Sequence, residues 1–282
     1  MATNTAVAKQ QKSWRVYGRY TLLMFVTLIV VFPIYATVLS AFKSGPDSLD
    51  HPRSLLPTGL TLDTMRAAWN LGHMGRLLWN SLFVSVAVTI GVIITSVLAA
   101  YAFTFINFRG RRFVFGFCLA TLLVPVEATV VINQRLIDSF GWKNSYQGLI
   151  VPLLATAFGI FLIRQVFMTV PKELIEAASL DGVGHFGLLR EVAMPLARPT
   201  LGALGLFTFL GTWNQYLWPQ AVVDDQEHRT IQIGLDALRS ADINRFNLIT
   251  AGTVIGALPI FVVLVAFQRQ LVRGLTAGAI KG

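Results

Sequence analysis

Residues 77–108 read LLWNSLFVSVAVTIGVIITSVLAAYAFTFINF and contain no Asp, Glu, Lys or Arg. A helix that crosses a bilayer needs roughly 20 consecutive apolar residues, so this stretch is long enough for one crossing. Further windows without charge occupy residues 20–42, 144–163, 199–223 and 246–268. Residues 113–134 form a sixth window that only Glu127 interrupts. The sequence therefore predicts an all-α integral membrane protein with six transmembrane helices.

The composition of the 282-residue chain also indicates a lipid environment. Hydrophobic residues make up 54% of it, charged residues 13%, and the mean hydropathy is +0.62, whereas soluble domains carry about 25% charged residues. No stretch is long enough for a separate soluble domain. We therefore expect one transmembrane domain at 20–268, with tails at 1–19 and 269–282. Its helices are predicted at about 20–42, 79–104, 113–134, 147–167, 199–220 and 247–268, with a loop at 169–198.

The distribution of charge predicts how the chain is oriented. The net charge is +9, and 14 of the 23 basic residues but only four of the 14 acids fall in segments that would share one side of the membrane. These segments are roughly 1–19, 105–112, 164–198 and 269–282. Because cytoplasmic loops carry the excess of Lys and Arg, both termini are expected in the cytoplasm. Topology then explains the positive charge, and no nucleic-acid partner is expected.

The loop between the fourth and fifth predicted helices contains the strongest local signal, TVPKELIEAASLDG at 169–182. Thr169 suits a helix N-cap and Pro171 a first helical turn. Gly182 suits the helix end, because glycine readily adopts the left-handed conformation that follows many helices. The pattern predicts a short ordered helix. One of its sides would carry Leu174, Ala177, Ala178 and Asp181.

A second short helix is predicted directly after this one, at 185–192. Pro195 and Pro199 are expected to end it before the next transmembrane helix, because proline removes a helical hydrogen bond and clashes with the preceding turn. The two short helices would lie at the cytoplasmic face. The small alanine side chains of the first would let the backbone of a partner approach closely.

The spacing of this loop resembles a known signature. Glu176-Ala177-Ala178, three residues, Gly182, nine residues, Val192, one residue, Met194 and Pro195 are similar to the EAA loop of binding-protein-dependent ABC importer permeases. That pattern has isoleucine and leucine where this chain has Val192 and Met194. The resemblance implies a type I importer permease fold, in which this loop is the coupling helix that docks into a cleft of the ATPase subunit. It assigns the ATPase-coupling contacts to Glu176, Ala177, Ala178, Asp181, Gly182 and Pro195.

The same resemblance implies partners and a location. They are an ATP-binding cassette ATPase dimer, a second homologous six-span permease, an extracytoplasmic substrate-binding protein and the lipid of a bacterial cytoplasmic membrane. ATP and magnesium would bind to the ATPase, because this chain contains no G-x-x-x-x-G-K-[ST] phosphate-binding loop. No cofactor, metal site or catalytic residue is expected in the chain itself, whose four histidines lack metal-ligand spacing.

Three further segments narrow the resemblance within the family. LVPVE at 123–127, RQVFMT at 164–169 and WNQYLWP at 213–219 are similar to the second permease of importers of glycerol-3-phosphate and of glycerophosphodiesters such as glycerophosphocholine. The C-terminal residues 268–282 are similar to second permeases of the maltose type, so a di- or oligosaccharide stays open as the cargo. Two other classes also stay open: a secondary carrier that works alone, which usually shows internal repeats, and a membrane-embedded enzyme, which would show clustered acids or histidines.

Glu127 is the leading candidate for the substrate path, because an acid inside the membrane costs about 2.5–3.5 kcal/mol on insertion scales. Pro125 would interrupt the helical hydrogen bonds beside it and kink this span. Trp213 and Glu127 each lie about 14 residues into a predicted helix, so both would lie at a depth of about 21 Å. Indole faces and amides suit sugar-like or choline-like groups. The predicted path residues are Glu127, Trp213, Asn214, Gln215, Tyr216 and Arg135.

Several of these candidates have an alternative role. Glu127 could form a hydrogen bond with a second subunit or face lipid. Tyr216, and Trp218 beside it, fit an aromatic belt at the outer membrane interface. Arg135, a candidate partner for a phosphate group, also fits a charged anchor of the neighbouring loop.

Overall fold

The structure, a computed structural model, describes the backbone of residues 2–44, 56, 59–241 and 246–277. Side chains are described within these ranges except at 2–15, 126, 240, 241, 246 and 269–277. Parts of two predicted segments, the tails at 1–19 and 269–282, therefore lie outside the described residues.

The described chain is almost entirely helical. Its helices are α1 (Ala2–Phe42), α2 (Asp63–Leu71), α3 (Met74–Phe105), α4 (Arg111–Ala120), α5 (Val126–Ser139), α6 (Tyr146–Ile150), α7 (Ala157–Phe167), α8 (Lys172–Leu180), α9 (His185–Gly187), α10 (Met194–Trp213), α11 (Leu217–Val222), α12 (Ile231–Ala241) and α13 (Phe246–Ala277). Short 3₁₀ turns occupy Thr121–Leu123 and Val151–Leu153, and a π-helical turn occupies Leu188–Ala193. The only β pairing among the described residues is an isolated bridge between Lys43 and Leu60.

Four helices in the described part of the chain are long and apolar enough to cross a membrane. They span Val16–Phe42, Met74–Phe105, His185–Trp213 and Asn247–Gln268. Two bent pairs add further crossings if each pair counts as one: Arg111–Leu123 with Glu127–Ser139, and Tyr146–Leu153 with Ala157–Phe167. The predicted all-helical membrane class is therefore confirmed. By length and composition the described chain allows four to six crossings, so the predicted count of six is the upper limit.

The third predicted helix, 113–134, is divided into α4 and α5, and the two parts are bent by 106°. Val124 is extended and Pro125 takes the N-cap position of α5. Proline has no N–H with which to continue α4, and it disfavours a helical residue before it. The Pro125 carbonyl instead accepts from the Ala128 N–H at 3.1 Å. The break at Pro125 is as predicted, but it separates two helices rather than kinking one.

The fourth predicted helix, 147–167, is also divided, with a bend of 42° between its parts. Pro152 lies in the 3₁₀ turn that ends the first part. The second part begins at Ala157, where the Thr156 hydroxyl accepts from the Gly159 N–H at 3.1 Å. Such an N-cap satisfies one of the four backbone donors that a helix start leaves free. A charge-free window does not reveal this interruption, whereas the proline and the capping threonine do.

The fifth predicted helix begins earlier than residue 199. The predicted helix end at Pro195 and Pro199 is wrong, because the chain stays helical from His185 to Trp213. The π-helical turn at 188–193 precedes Pro195, which therefore lies in the first turn of α10. The winding changes from π to α directly before this residue, and the missing N–H of Pro195 removes one hydrogen bond at that junction without ending the helix. Pro199 lies inside α10 and removes one further hydrogen bond without ending the helix.

The chain divides into two compact units, and the first comprises the described parts of 1–72 and 238–255. Its helices meet at one backbone carbonyl, that of Lys43 after the end of α1. This oxygen accepts from the Thr64 hydroxyl of α2 at 2.7 Å and from the Asn247 amide of α13 at 3.2 Å. One acceptor thus joins three helices.

The second unit, the described parts of 73–237 and 256–282, contains the main hydrophobic core. Helix α3 lies at its centre and packs against α7 and α10. Its buried residues include Val84, Val88, Val92, Ser96 and Ala100. A spacing of four residues places these side chains on one helix face, and the small ones allow neighbouring helices to approach closely.

We expect Gly159→Ala to destabilise this core, because a Cβ on Gly159 would lie 2.2 Å from Ser96 Oγ and 3.2 Å from Ser96 Cβ. Overpacking of such a contact costs typically ~1–3 kcal/mol. Gly116→Ala in α4 is the matched control, since nothing lies within 4 Å of its added Cβ. Thermal unfolding in lipid nanodiscs should give a lower Tm for Gly159→Ala alone. Equal melting of the two variants would contradict the close packing of α3 and α7.

Candidate functional site

A cavity of about 740 Å³ lies within the second unit, in the size range of small-molecule sites. Its walls come from α3, the break between α4 and α5, α5 itself, the segment before and at the start of α7, α10, and residues 215–218. The polar side chains around it include Thr121, Glu127, Thr129, Asn133, Thr156, Thr208, Thr212 and Gln215. The aromatic ones are Phe158, Phe207, Tyr216 and Trp218. Hydroxyls, amides and aromatic faces on an apolar background suit a small polar ligand.

Glu127 is the only formally charged side chain among the described residues that line this cavity. It lies in the first turn of α5, where the helix dipole favours a negative charge. Its own chain leaves it exposed. The break at Pro125 creates this helix start, so the residue that interrupts the helix also places the acid at the cavity.

The structure brings three of the six predicted path residues to the cavity. Glu127, Gln215 and Tyr216 line it, and Trp213, Asn214 and Arg135 do not. The Tyr216 hydroxyl donates to Asp236 Oδ2 at 3.0 Å, which fixes the phenol ring against the wall. Trp218, for which an aromatic belt was the alternative, is 4% exposed and lines the cavity.

The three residues outside the cavity wall have other contacts or positions. Trp213 is 1% exposed and stacks on Phe209, with ring centroids 5.7 Å apart. Asn214 is the C-cap of α10, and its amide Nδ2 donates to the Leu210 carbonyl at 2.8 Å. Arg135 is exposed on α5. In this conformation Trp213 and Asn214 therefore support the end of α10 rather than the cavity surface.

Four further polar side chains, which the sequence analysis did not single out, line the cavity beside Gln215: Thr129, Asn133, Thr208 and Thr212. Thr208 and Thr212 lie one turn apart on α10, which places them on one side of that helix. Gln215 follows directly after the helix end. Thr129 and Asn133 have the same spacing on α5, with Asn133 Nδ2 3.5 Å from Thr129 Oγ1. Polar residues at helical spacing within apolar segments are the signal that identifies them.

The loop helix α8 confirms the predicted short helix, and its end is fixed by two hydrogen bonds. The Gly182 N–H donates to the Ser179 carbonyl at 3.2 Å, and the Val183 N–H donates to the Ala178 carbonyl at 2.9 Å. This is the Schellman pattern, which needs a residue with positive φ directly after the helix. Gly182 has a φ of +73°, so its predicted role at the helix end is confirmed.

The start of α8 differs from the prediction. Pro171 rather than Thr169 takes the N-cap position, and no side chain caps the helix there. The Thr169 hydroxyl instead donates back to the Val166 carbonyl at 2.8 Å. The physical reason is that proline disfavours a helical residue before it, so the helix cannot extend back through Val170 to Thr169. Pro171 itself has a ψ of 137° and lies just outside α8.

One face of α8 is seated on the chain's own core and the other is uncovered. Ile175 and Ala178 pack against the core of the second unit. The uncovered residues are Leu174, Glu176, Ala177, Leu180 and Asp181. Of the predicted ATPase contacts, Ala178 therefore faces inwards, while Glu176, Ala177 and Asp181 are accessible.

A row of aromatic contacts joins the α8–α9 segment to the core helices. The Tyr101 hydroxyl on α3 lies 2.9 Å from His185 Nδ1 at the start of α9. The Tyr101 ring lies 5.0 Å from that of Phe105, which lies 5.8 Å from that of Phe167 on α7. A displacement of this segment would therefore act directly on α3 and α7.

At the opposite end of α3, Asn80 organises the loop before α12. Its side chain is 1% exposed. Its amide Nδ2 donates to the carbonyls of Glu227 and Arg229 at 2.7 and 2.9 Å, and its Oδ1 accepts from the Tyr146 hydroxyl at 2.7 Å. The neighbouring Ser81 hydroxyl accepts from the Ile231 N–H at 2.7 Å. The loop is thus held by side chains of α3.

Asn144 fixes the other side of the same loop. It has a φ of +54°, its N–H donates to the Val222 carbonyl at 3.0 Å, and its Oδ1 accepts from the N–H groups of Asp224 and Asp225 at 2.7 and 3.2 Å. Burial raises the pKa of the Asp225 carboxyl, but hydrogen bonds from the side chain and backbone of His228 outweigh this and hold that pKa below its usual value. The loop is therefore ordered by polar contacts on both sides.

Comparison with known families places these features in context. Residues 91–277 match the family described as "Binding-protein-dependent transport system inner membrane component". Relatives named sn-glycerol-3-phosphate transport system permease protein UgpE are 36% identical over 265 residues in Brucella abortus (strain 2308), 35% over 271 residues in Agrobacterium fabrum (strain C58 / ATCC 33970) and 32% over 264 residues in Salmonella typhi. Each alignment covers 91% of this chain and 94% of the relative.

Two solved structures are similar over most of their length. A bacterial ABC transporter involved in the import of the acidic polysaccharide alginate matches with a TM-score of 0.79 at 22% identity, covering 91% of this chain and 97% of that chain. A bacterial alginate ABC transporter in complex with an alginate pentasaccharide-bound periplasmic protein matches with a TM-score of 0.62 at 13% identity, covering 94% and 97%. At this identity the similarity shows a shared fold.

Proposed function

Because the chain belongs to the family of inner membrane components of binding-protein-dependent transport systems, we propose that it pairs with a second permease to form the translocation path of an ATP-driven importer. It is a transport subunit and not an enzyme. In this proposal a separate ATPase dimer binds ATP and magnesium and hydrolyses the ATP. Glu127, Gln215 and Tyr216 lie on this chain's half of the path.

The observation that carries the proposal is the construction of α8. The hydrogen bonds at Gly182 end the helix after nine residues. Ile175 and Ala178 on one face pack against the core, and Glu176 and Ala177 on the other face are exposed. The same core contains α3 and α10, which also form walls of the cavity. A partner that moves α8 would therefore move helices that shape the cavity.

We further propose that α8 lies on the cytoplasmic side and docks into the ATPase, with both termini also cytoplasmic. The excess of basic residues in segments of that side supports this orientation. The loop around 224–230, which lies at the other end of α3, would then face outwards. A loaded binding protein would dock on it and on the outer segment between α1 and α3.

The names of the relatives indicate a class of cargo for the proposed importer. We propose sn-glycerol-3-phosphate or a glycerophosphodiester such as glycerophosphocholine, because relatives that align over nine-tenths of the chain are named for sn-glycerol-3-phosphate transport. A di- or oligosaccharide is the second candidate. The hydroxyls and aromatic faces of the cavity favour it, since sugars bind through both kinds of contact.

The test uses the complex of this chain with its genomic neighbours, purified and reconstituted in lipid. ATPase activity is measured with binding protein loaded with glycerol-3-phosphate, with glycerophosphocholine or with a disaccharide. Stimulation by the first or second, without stimulation by the disaccharide, is expected. Stimulation by the disaccharide alone would move the cargo to sugars. Uptake by this chain without any associated ATPase would identify a lone carrier and overturn the proposal.

A further inference from the structure

The charge of the cavity bears on which end of a cargo it can hold. Glu127 is its one formally charged lining residue, and no Lys or Arg is among the described residues around it. A phosphate group that approached this carboxylate without a compensating cation would be repelled, and the repulsion grows in a site that excludes water. This half of the path is therefore unfavourable for an isolated phosphate.

Three basic side chains of the second unit have partners outside the cavity wall. The Arg164 guanidinium lies 4.2 Å from the centre of the Phe115 ring, and its Nε donates to the Phe103 carbonyl at 3.5 Å. Arg111 donates to the Ile106 carbonyl at 3.1 Å. Lys143 pairs with Asp224 at 2.7 Å. None of these three basic residues lines the cavity in the described structure.

The aromatic walls favour the opposite charge. Four aromatic residues, Phe158, Phe207, Tyr216 and Trp218, line the cavity. Aromatic faces attract ammonium groups, most strongly where water is excluded, and they are the usual surroundings of quaternary ammonium ligands. The hydroxyl of Tyr216 is held by Asp236, which keeps its ring in place.

We propose that this cavity receives the cationic head group of a glycerophosphodiester, with Glu127 as its counter-ion and the four aromatic rings as its walls. The inference rests on the proposed function and specifies it. A choline or ethanolamine head carries the required positive charge, whereas a glycerol head or free glycerol-3-phosphate does not. Glu127 thereby discriminates between cargoes that share the same glycerophosphate part.

The experiment compares uptake of three cargoes by the reconstituted full complex: glycerophosphocholine, glycerophosphoglycerol and glycerol-3-phosphate. Each is measured with the wild type, Glu127→Gln, Glu127→Asp and the control Asp138→Asn. Asp138 is an exposed acid on the same helix, outside the cavity wall, so its replacement changes the charge equally. For each cargo, the uptake by a variant is divided by the uptake by the wild type. The same binding protein is used in both measurements, so its own preference among the cargoes cancels in this ratio.

For Glu127→Gln we expect the uptake ratio to fall about tenfold or more for glycerophosphocholine and less than about threefold for the other two cargoes. Glu127→Asp should retain part of the preference, and Asp138→Asn should leave all three ratios near one. An equal loss for all cargoes would overturn the inference while leaving the importer in place. Failure of Glu127→Gln to assemble with the second permease would also overturn it, and would make Glu127 an inter-subunit contact. If the wild type transports none of the three, the proposed cargo itself is wrong.

Discussion

Replacement of Gly182 by alanine is expected to lower cargo uptake about tenfold while the importer still assembles. An alanine in the left-handed conformation costs ~1–2 kcal/mol, and about 1.4 kcal/mol reduces the population of the capped helix end tenfold. Gly182 has a φ of +73°, and its Schellman hydrogen bonds end α8. Loosening that end should let the uncovered face of α8 turn relative to the ATPase. Basal ATPase activity should persist, whereas stimulation by loaded binding protein should be lost.

Gly184→Ala provides the matched control for this variant. Gly184 has a φ of −74°, nothing lies within 4 Å of an added Cβ at either glycine, and both residues are exposed. The two variants therefore differ only in backbone strain. Coupled ATPase activity and uptake, measured in the same proteoliposomes, should be near wild type for Gly184→Ala. If Gly182→Ala also transported normally, the assignment of α8 as the coupling helix would be wrong.

Asn80→Leu is expected to cause the largest loss of stability. Leucine has a similar size but neither donates nor accepts, so it would leave the carbonyls of Glu227 and Arg229 and the hydroxyl of Tyr146 without their partner. Each buried polar group that loses its hydrogen bond costs about 1–3 kcal/mol. Partial access of water to the loop reduces the sum, and we expect roughly 2–4 kcal/mol in total. The Tm in nanodiscs should fall by roughly 5–10 °C.

Tyr146→Phe separates the loss of one hydrogen bond from the loss of the network. It removes the hydroxyl that donates to Asn80 and keeps the ring beside Phe83 and His228, with centroids 5.0 and 4.9 Å away. Its cost should be about 1 kcal/mol. Asn80→Leu should in addition weaken the binding of loaded binding protein, because the loop at 224–230 loses its anchor. Similar melting of both variants would show that Asn80 does not organise this loop.

The sequence predicts the class of this fold well and its helix boundaries less well. A charge-free window reports the solvent around a segment, not the continuity of its hydrogen bonds, so 113–134 and 147–167 each look like one helix. Pro125 and Pro152 carry the missing information, and only the first was used. At Pro195 and Pro199 the opposite holds: the chain stays helical through both prolines, and the change from π to α winding lies directly before the first.

The parts of the candidate site that depend on the local sequence alone could be predicted. The positive φ of Gly182 follows from the pattern of the helix end, and Glu127 stands out as an acid in an apolar window. The direction in which a side chain points at the end of a helix is not determined by the local sequence. Trp213 is buried against Phe209 and Asn214 caps its own helix, whereas Gln215 and Tyr216, directly after them, line the cavity. Only the placement of the neighbouring helices separates these adjacent residues.

The π-helical turn at Leu188–Ala193 lies directly before α10 and sets the rotation of that helix about its axis. A π turn contains an extra residue compared with an α turn, and such turns are often found at functional sites. If that residue were released into the segment before it, every residue after the turn would rotate by about 100°, the angle between successive residues of an α-helix. Thr208 and Thr212 would then leave the cavity wall together. A small change of winding next to α8 would thus replace a hydroxyl-bearing wall of the cavity by an apolar one.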